Sequence, residues 1–419
     1  MTMRILVIHQ YYLGKDDAGG SRFNQFAKYW KGKGHRVTVI AGTVHYATGK
    51  RDKRYKGKWI IEGKESDEIK VLRTYVSARY NKSFVGRLWA YVSFTISSTW
   101  AGLFYSGRQD LVLATSPPLL VGITGYIISR IKRIPFVFEV RDLWPESAID
   151  MGVLNNSLAI KLAYWLEKFI YKKADKINVL TPAFKETLLR KGVALNKIVM
   201  IPNGADLDIF KPQAEENWVR QKYGWDKRFV VIYIGAHGLA NHLIQVVEVA
   251  RDSREHEDIL FVLVGDGMEK PKLAAKAKEY GLENIQFIDA QPKSQIADFV
   301  NASDVCTAVL KKADTFKTVY PNKVFDYMSC AKPVIIAIDG VARKLIEDAR
   351  AGVYVEPENI EEFKKTVLKL YNNPNLCAEY GQNGYEYVKK HFARESLADQ
   401  YEAILRGIVE DATVLKATD

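Results

Sequence analysis

The chain has 419 residues, 47% hydrophobic and 26% charged, which suits two globular domains and excludes a disordered or fibrous protein. Three widely spaced cysteines, Cys306, Cys330 and Cys377, give neither a metal-ligand pattern nor a disulfide framework and fit a reducing compartment. The net charge of +12 is uneven: residues 1–200 hold 33 Lys+Arg against 15 Asp+Glu, net +18, and residues 201–419 hold 28 against 34, net −6. A basic first half without a nucleic-acid motif points to an anionic membrane surface as partner, and not to nucleic acid.

Met1-Thr2-Met3-Arg4 leads straight into the apolar run Ile5-Leu6-Val7-Ile8, so no signal peptide is expected. A polar loop over 11–21, a helix over 22–34 and the strand Arg36–Gly42 complete a βαβ unit, whose crossover is expected to be right-handed. Gly19-Gly20 precedes the helix, where missing Cβ atoms let backbone N–H groups approach an anion; an ordinary βα turn reads the same way. Residues 50–70 are charged and read as a basic excursion, followed by a strand over 71–75. The segment Leu88–Tyr105 has no charged residue, but Ser93, Ser97, Ser98 and Thr99 make its middle too polar for a membrane span. It reads first as a buried core helix; the alternative, a helix lying in the membrane interface, has Lys82, Arg87 and its aromatics in its support.

The apolar strands Leu111–Ala114 and Pro135–Val140 come next, and Arg141-Asp142-Leu143-Trp144-Pro145-Glu146 follows the second directly. In an open parallel sheet, ligands bind beyond the carboxyl ends of strands, so charges there are candidates for chemistry. A helix from 158 to 174 and a strand over 176–180 complete a first doubly wound domain. The same grammar restarts at Phe229–Ile234, followed by Gly235-Ala236-His237-Gly238, and at Ile259–Val264, followed by Gly265-Asp266-Gly267. Further strands are expected over 285–288 and 305–310, and helices fill the chain from 360 to about 409.

The stretch from Lys317 to Ala337 carries the most chemistry. Its second half reads as a helix, a tight turn and a buried strand; its first half presents Asn322 and Lys323 at the helix start. A helix N-terminus attracts phosphate, and Lys323 adds a full charge beside it. Asp326 lies one turn further in, where a carboxylate can accept two ribose hydroxyls.

Four features thus fall on strand ends: Gly19-Gly20, Arg141 to Glu146, Gly235 to Gly238 and Asn322 to Asp326. With the Pro202-Asn203-Gly204 turn, their order resembles family 4 glycosyltransferases, and Glu139–Glu146 with Gly235–Gly238 resembles the bacterial L-fucosamine transferase-like subgroup. The resemblance implies an α/β GT-B fold, two doubly wound Rossmann-like domains facing across a cleft. Residues 1–203 would bind acceptor and 204–396 the nucleotide sugar, with a helix of about 397–419 packing back on the first domain. It implies retaining transfer, without a bound metal or other cofactor, from a nucleoside-diphosphate sugar. UDP is favoured over GDP, an N-acetylated amino sugar fits, and the acceptor is a polyprenyl-diphosphate-linked saccharide at the inner face of the cell membrane.

Without a metal, protein groups must neutralise the leaving diphosphate. Many family members carry an arginine and a lysine after the first glycine of the second domain, where this chain has Ala236 and Asn241. Lys323 is expected to substitute, helped by Lys317, Arg22, Lys270 and the amides of Gly19, Gly20, Gly235, Gly238 and Gly265. His237 is expected to contact the donor and Gln291 its base. Of two glutamates common in the family, the later matches Asp326 and the earlier falls on Thr318. Arg141 stands where many members have histidine; it is expected to bind acceptor or phosphate, leaving Asp142, or Glu146, as base candidate. A sugar-nucleotide 2-epimerase of similar fold, or a non-catalytic membrane- or partner-binding subunit, remain alternatives.

Overall fold

The computed structural model describes residues 1–12, 14, 22–44, 51, 53–65, 69–79, 84–213 and 217–418. The chain forms two compact units: Met1–Pro202 with Glu395–Asp419, and Asn203–Arg394.

The first unit runs β1 (Arg4–Ile8), α1 (Arg22–Gly32), β2 (Arg36–Gly42), β3 (Ile60–Glu65), β4 (Ile69–Thr74), α2 (Phe84–Phe104), β5 (Leu111–Thr115), α3 (Val121–Lys132) and β6 (Phe136–Val140). It continues through α4 (Glu146–Asp150), α5 (Ser157–Lys173), β7 (Lys176–Val179), α6 (Pro182–Arg190) and β8 (Ile198–Met200). Its sheet has the order β3-β4-β2-β1-β5-β6-β7-β8. Every pairing is parallel except β3 with β4. The strands are apolar on both faces because helices cover both. On one face α1 buries Phe23, Phe26 and Trp30 against Ile5, Val7, Val39 and Leu113.

The order reverses between β1 and β5, so the residues after these strands, His9 and Ser116, border the switch point. Strand β3 corrects the reading of 50–70 as an excursion. Ile60 pairs with Thr74 and Glu65 with Ile69, and the strand closes the sheet as a charged edge. The charges of Glu62, Lys64 and Glu65 concealed it: an edge strand needs few apolar residues.

The second unit runs α7 (Trp218–Tyr223), β9 (Phe229–Ile234), α8 (Ile244–Asp252), β10 (Ile259–Val264), α9 (Lys270–Glu279), β11 (Ile285–Ile288), α10 (Lys293–Asn301) and β12 (Val305–Val309). Then come α11 (Asn322–Ser329), β13 (Val334–Ala337), α12 (Val341–Ala349), β14 (Gly352–Tyr354), α13 (Ile360–Tyr371) and α14 (Pro374–His391). The six-stranded parallel sheet is ordered β11-β10-β9-β12-β13-β14, reversing between β9 and β12. The last helix, α15 (Arg394–Thr418), belongs almost wholly to the first unit. There Leu397, Tyr401 and Leu405 pack against Phe26, Trp30 and their neighbours, and Trp30 donates its indole N–H to Ala398 O at 3.0 Å.

Candidate functional site

In the second unit the site grows from the end of β9. Tyr233, the penultimate residue of that strand, is wholly buried. Helix α11 is fixed against it: Val324, Phe325 and Met328 enter the core, and the Tyr327 hydroxyl accepts from Ile234 N at 2.9 Å. That anchor carries Lys323 to the strand end. Its ammonium lies 3.5 Å from the Tyr233 ring centroid, a cation–π contact. It also stands 2.7 Å from where a Cβ on Gly235 would be. Gly235 has φ +148°, a backbone conformation that favours glycine. Among the described residues no carboxylate pairs with Lys323, and burial lowers its pKa to about 7.

The next turn closes over this one. A Cβ on Gly265 would lie 1.9 Å from Gly235 O, and one on Gly267 would lie 2.4 Å from His237 O. His237 N donates to Asp266 O at 2.8 Å, and Glu269 N to His237 O at 3.0 Å. The His237 ring is wholly buried, and neither nitrogen has a protein partner. Burial first, then Lys270 and Lys323, lower its pKa to about 4, so the ring is neutral at physiological pH. An orphaned buried ring beside an unpaired ammonium marks a place where a ligand can supply hydrogen bonds.

Asp326 is partly buried on the same helix, with Asp206, Lys293 and Arg394 around it. Burial raises its pKa to about 7, against the pull of Arg394 and Lys293. Burial also lowers the pKa of Lys293. Asn322 is exposed at the first position of α11, beside Lys323.

Other candidates are already engaged. Lys270 bonds Gly265 O at 3.0 Å and pairs with Asp289 at 2.5 Å. Lys317 pairs with Asp314 at 2.9 Å, and Gln291 donates to Asp289 O at 2.9 Å. Gly238 closes the β9 turn with φ −103°.

In the first unit Arg141 follows β6. Its guanidinium is 3.2 Å from His9 Nε2, and its backbone N–H donates to Ser116 Oγ at 3.2 Å, which joins both sides of the switch point. His9 is buried; burial, Arg141 and Arg73 hold its pKa well below the ordinary imidazole value. Asp142 accepts from Ser147 Oγ at 2.9 Å, and burial raises its pKa. Glu146 pairs with Lys191 at 2.7 Å. Gly19 and Gly20 lie outside the described residues.

Arg22 corrects an expectation. Its guanidinium meets both oxygens of the buried Glu139 at 3.2 Å and donates to the carbonyls of Ile201, at 2.8 Å, and Pro202. A wholly buried carboxylate requires such a partner, so Arg22 ties α1 to β6 and to the end of the first unit. Its guanidinium is therefore engaged inside the first unit rather than held out for a diphosphate.

Sequence reading missed His9, Tyr233, Lys293, Asp206 and Arg394. The strand-end rule that singled out Arg141 applies equally to His9, one residue after β1. Tyr233 reads as ordinary core, and the cluster around Asp326 draws on positions more than a hundred residues apart.

Two doubly wound parallel sheets, the second with its order reversing beside a glycine turn that a lysine-bearing helix start faces, make the GT-B fold. Residues 18–204 match the glycosyl transferase 4-like domain, and residues 215–387 match the glycosyl transferases group 1 domain. The chain belongs to the family 4 glycosyltransferases, and the epimerase and non-catalytic alternatives give way to that assignment. WcaI of Escherichia coli (strain K12), provisionally named a colanic acid biosynthesis glycosyl transferase, is 22% identical over 97% of this chain and 100% of its own. The UDP-Gal:alpha-D-GlcNAc-diphosphoundecaprenol alpha-1,3-galactosyltransferase of Escherichia coli is 25% identical over 64% of this chain and 70% of its own. Among solved structures, Anabaena HepE in complex with UDP-glucose superposes with a TM-score of 0.72 at 18% identity, covering 97% of this chain and 100% of that one.

Proposed function

We propose that the enzyme transfers a sugar, with retention of anomeric configuration, from a UDP-sugar to a polyprenyl-diphosphate-linked saccharide during surface polysaccharide assembly. It works at the cytoplasmic face of the cell membrane. The observation carrying this reading is the unpaired ammonium of Lys323 held against the Gly235 turn. As the bond from the anomeric carbon to the diphosphate breaks, negative charge grows on the leaving oxygen. Lys323, the N-terminal amides of α11 and the Gly235–Gly238 turn meet that charge without a metal. Asp326 takes the ribose hydroxyls, and neutral His237 offers a hydrogen bond to the donor.

The acceptor hydroxyl forms the new bond to the anomeric carbon and gives up its proton. We assign that proton to Asp142, whose raised pKa suits a base, with the departing phosphate as the other possible recipient. Arg141 is assigned to the acceptor's diphosphate. Support for UDP comes from the HepE complex, and for a lipid-diphosphate acceptor from the galactosyltransferase relative. Within the family, Glu139–Glu146 and Gly235–Gly238 favour the L-fucosamine transferase-like subgroup and an N-acetylated amino sugar. Calorimetric titration with UDP and GDP tests the donor: UDP is expected to bind more tightly, and binding of neither contradicts the reading. The anomeric configuration of the product tests the mechanism, since inversion would exclude retention.

A further inference from the structure

Helix α2 departs from the usual arrangement of a surface helix on its outer side. Its buried side carries Ala90, Phe94 and Ala101 together with Ser93, Ser97 and Ser98. Ser93 Oγ donates to Ala90 O at 2.8 Å and accepts from Ser77 N at 2.9 Å; Ser97 Oγ donates to Tyr75 O at 2.7 Å; Ser98 Oγ meets Thr124 Oγ1 at 3.0 Å. Its outward stripe is apolar: Ile96 is 53% and Trp100 52% exposed, with Trp89 and Phe104 along the same row. Water-facing helices carry charges there. From Phe84 to Phe104 the only charged residue is Arg87.

The feature extends beyond one helix. Close approach at glycines joins α2, α3 and α5 into one layer. A Cβ on Gly102 of α2 would lie 2.1 Å from Ile128 of α3, and one on Gly122 of α3 would lie 2.7 Å from Ile170 of α5. On α5, Leu162 and Trp165 are each 61% exposed, spaced to share one face. Trp165 stacks on Phe169 at 5.7 Å, and Phe169 meets Tyr126 of α3 edge-on at 5.2 Å. Lys161, Lys168 and Lys172 are exposed on α5, and Arg130 on α3. The three helices hold one carboxylate, Glu167, which is buried and paired with Lys191 at 2.5 Å. Every exposed charge on the layer is therefore positive.

We propose that this α2–α3–α5 layer docks on an anionic lipid bilayer, with the outward rows of α2 and α5 lying in its interface. Tryptophan and leucine rows bury apolar area at the headgroup boundary while flanking lysines meet anionic headgroups. No helix among the described residues is long and apolar enough to cross a membrane, so the contact lies on the bilayer surface. A second copy seated on the same face would set one lysine row against another, which disfavours self-association. This inference rests on the lipid-linked acceptor reading and names the surface that brings the enzyme to such an acceptor.

The test is flotation of the purified full chain with phosphatidylcholine vesicles, with and without phosphatidylglycerol, at low and high salt. The native protein is expected to float with the anionic vesicles, about tenfold less without anionic lipid, and less at high salt. Trp100→Ser and Trp165→Ser are each expected to reduce flotation about tenfold. Three outcomes would overturn the proposal: no partition on anionic vesicles, variants floating like the native chain, or a native dimer that Trp165→Glu dissociates. UDP titration of the same preparations separates the two readings. UDP binding without flotation sinks the docking surface alone, whereas flotation without UDP binding sinks the donor assignment alone.

Discussion

The ammonium of Lys323 rests 3.5 Å from the centroid of the Tyr233 ring. An aromatic face steadies a cation by about 0.5–2 kcal/mol without neutralising it. The charge stays available to an incoming anion, and burial leaves its proton loosely held, with a pKa lowered to about 7.

That looseness gives UDP binding a definite pH dependence. Above pH about 7 the free enzyme has lost the Lys323 proton, and a bound diphosphate must recover it. The dissociation constant for UDP should therefore rise by about tenfold per pH unit above that point, with proton uptake on binding. Calorimetry in buffers of differing ionisation enthalpy measures both. An affinity that is flat through this range would exclude Lys323 as the group that recovers the proton.

Asp326 works against the fold. Its folded pKa, about 7, exceeds the unfolded value of 3.8, so the ionised carboxylate destabilises the native state. The penalty is absent below pH 3.8, grows as pH rises, and is complete above about 7. Asp326→Asn should stabilise the protein at pH 8 by on the order of 1–3 kcal/mol, a difference that shrinks towards pH 4. UDP affinity should fall at the same time, because ribose loses its carboxylate. Melting temperatures at the two pH values decide the sign.

Arg22 should behave oppositely, as a structural residue. Arg22→Ala leaves Glu139 buried without its cation, at a cost of about 3–5 kcal/mol. Thermal unfolding should register that loss, while UDP affinity of the folded fraction stays unchanged. A variant that melts like the native protein yet binds UDP weakly would restore Arg22 to the donor site.

Gly265→Ala tests the closure of the two turns. The added methyl would lie 1.9 Å from Gly235 O, and the neighbour is backbone and cannot rotate away. Loss of about 2 kcal/mol or more is expected, with UDP binding weakened because the Gly235–His237 turn must move. Native stability together with native affinity would show that the turn tolerates the methyl group.

Much of this was legible in the sequence because buried parallel strands are short apolar runs. The runs ending at Ile8, Val140, Ile234 and Val264 marked their carboxyl ends, and the candidate chemistry lies just after them. Lys323 and Asp326 were legible because a single segment carries the turn, the helix start and both side chains. The environment of Asp326 was hidden, since Asp206, Lys293 and Arg394 meet it only through folding. Arg22 misled for the same reason: its charge invited a ligand, and its partner Glu139 sits 117 positions away. Serines in the middle of α2 argued against a span, but the sequence did not show that they face the protein while the tryptophans face outward.

The most direct measurement compares UDP with uridine on the native enzyme and on Lys323→Ala. Uridine reports the base and ribose contacts and controls for the fold; the difference between the two ligands reports the diphosphate grip. The expected result is a loss of about 10–100-fold in UDP affinity with uridine affinity unchanged, the size of one charge-assisted contact. Equal UDP affinity in both proteins, or a parallel fall for both ligands, would contradict the claim that Lys323 holds the leaving diphosphate.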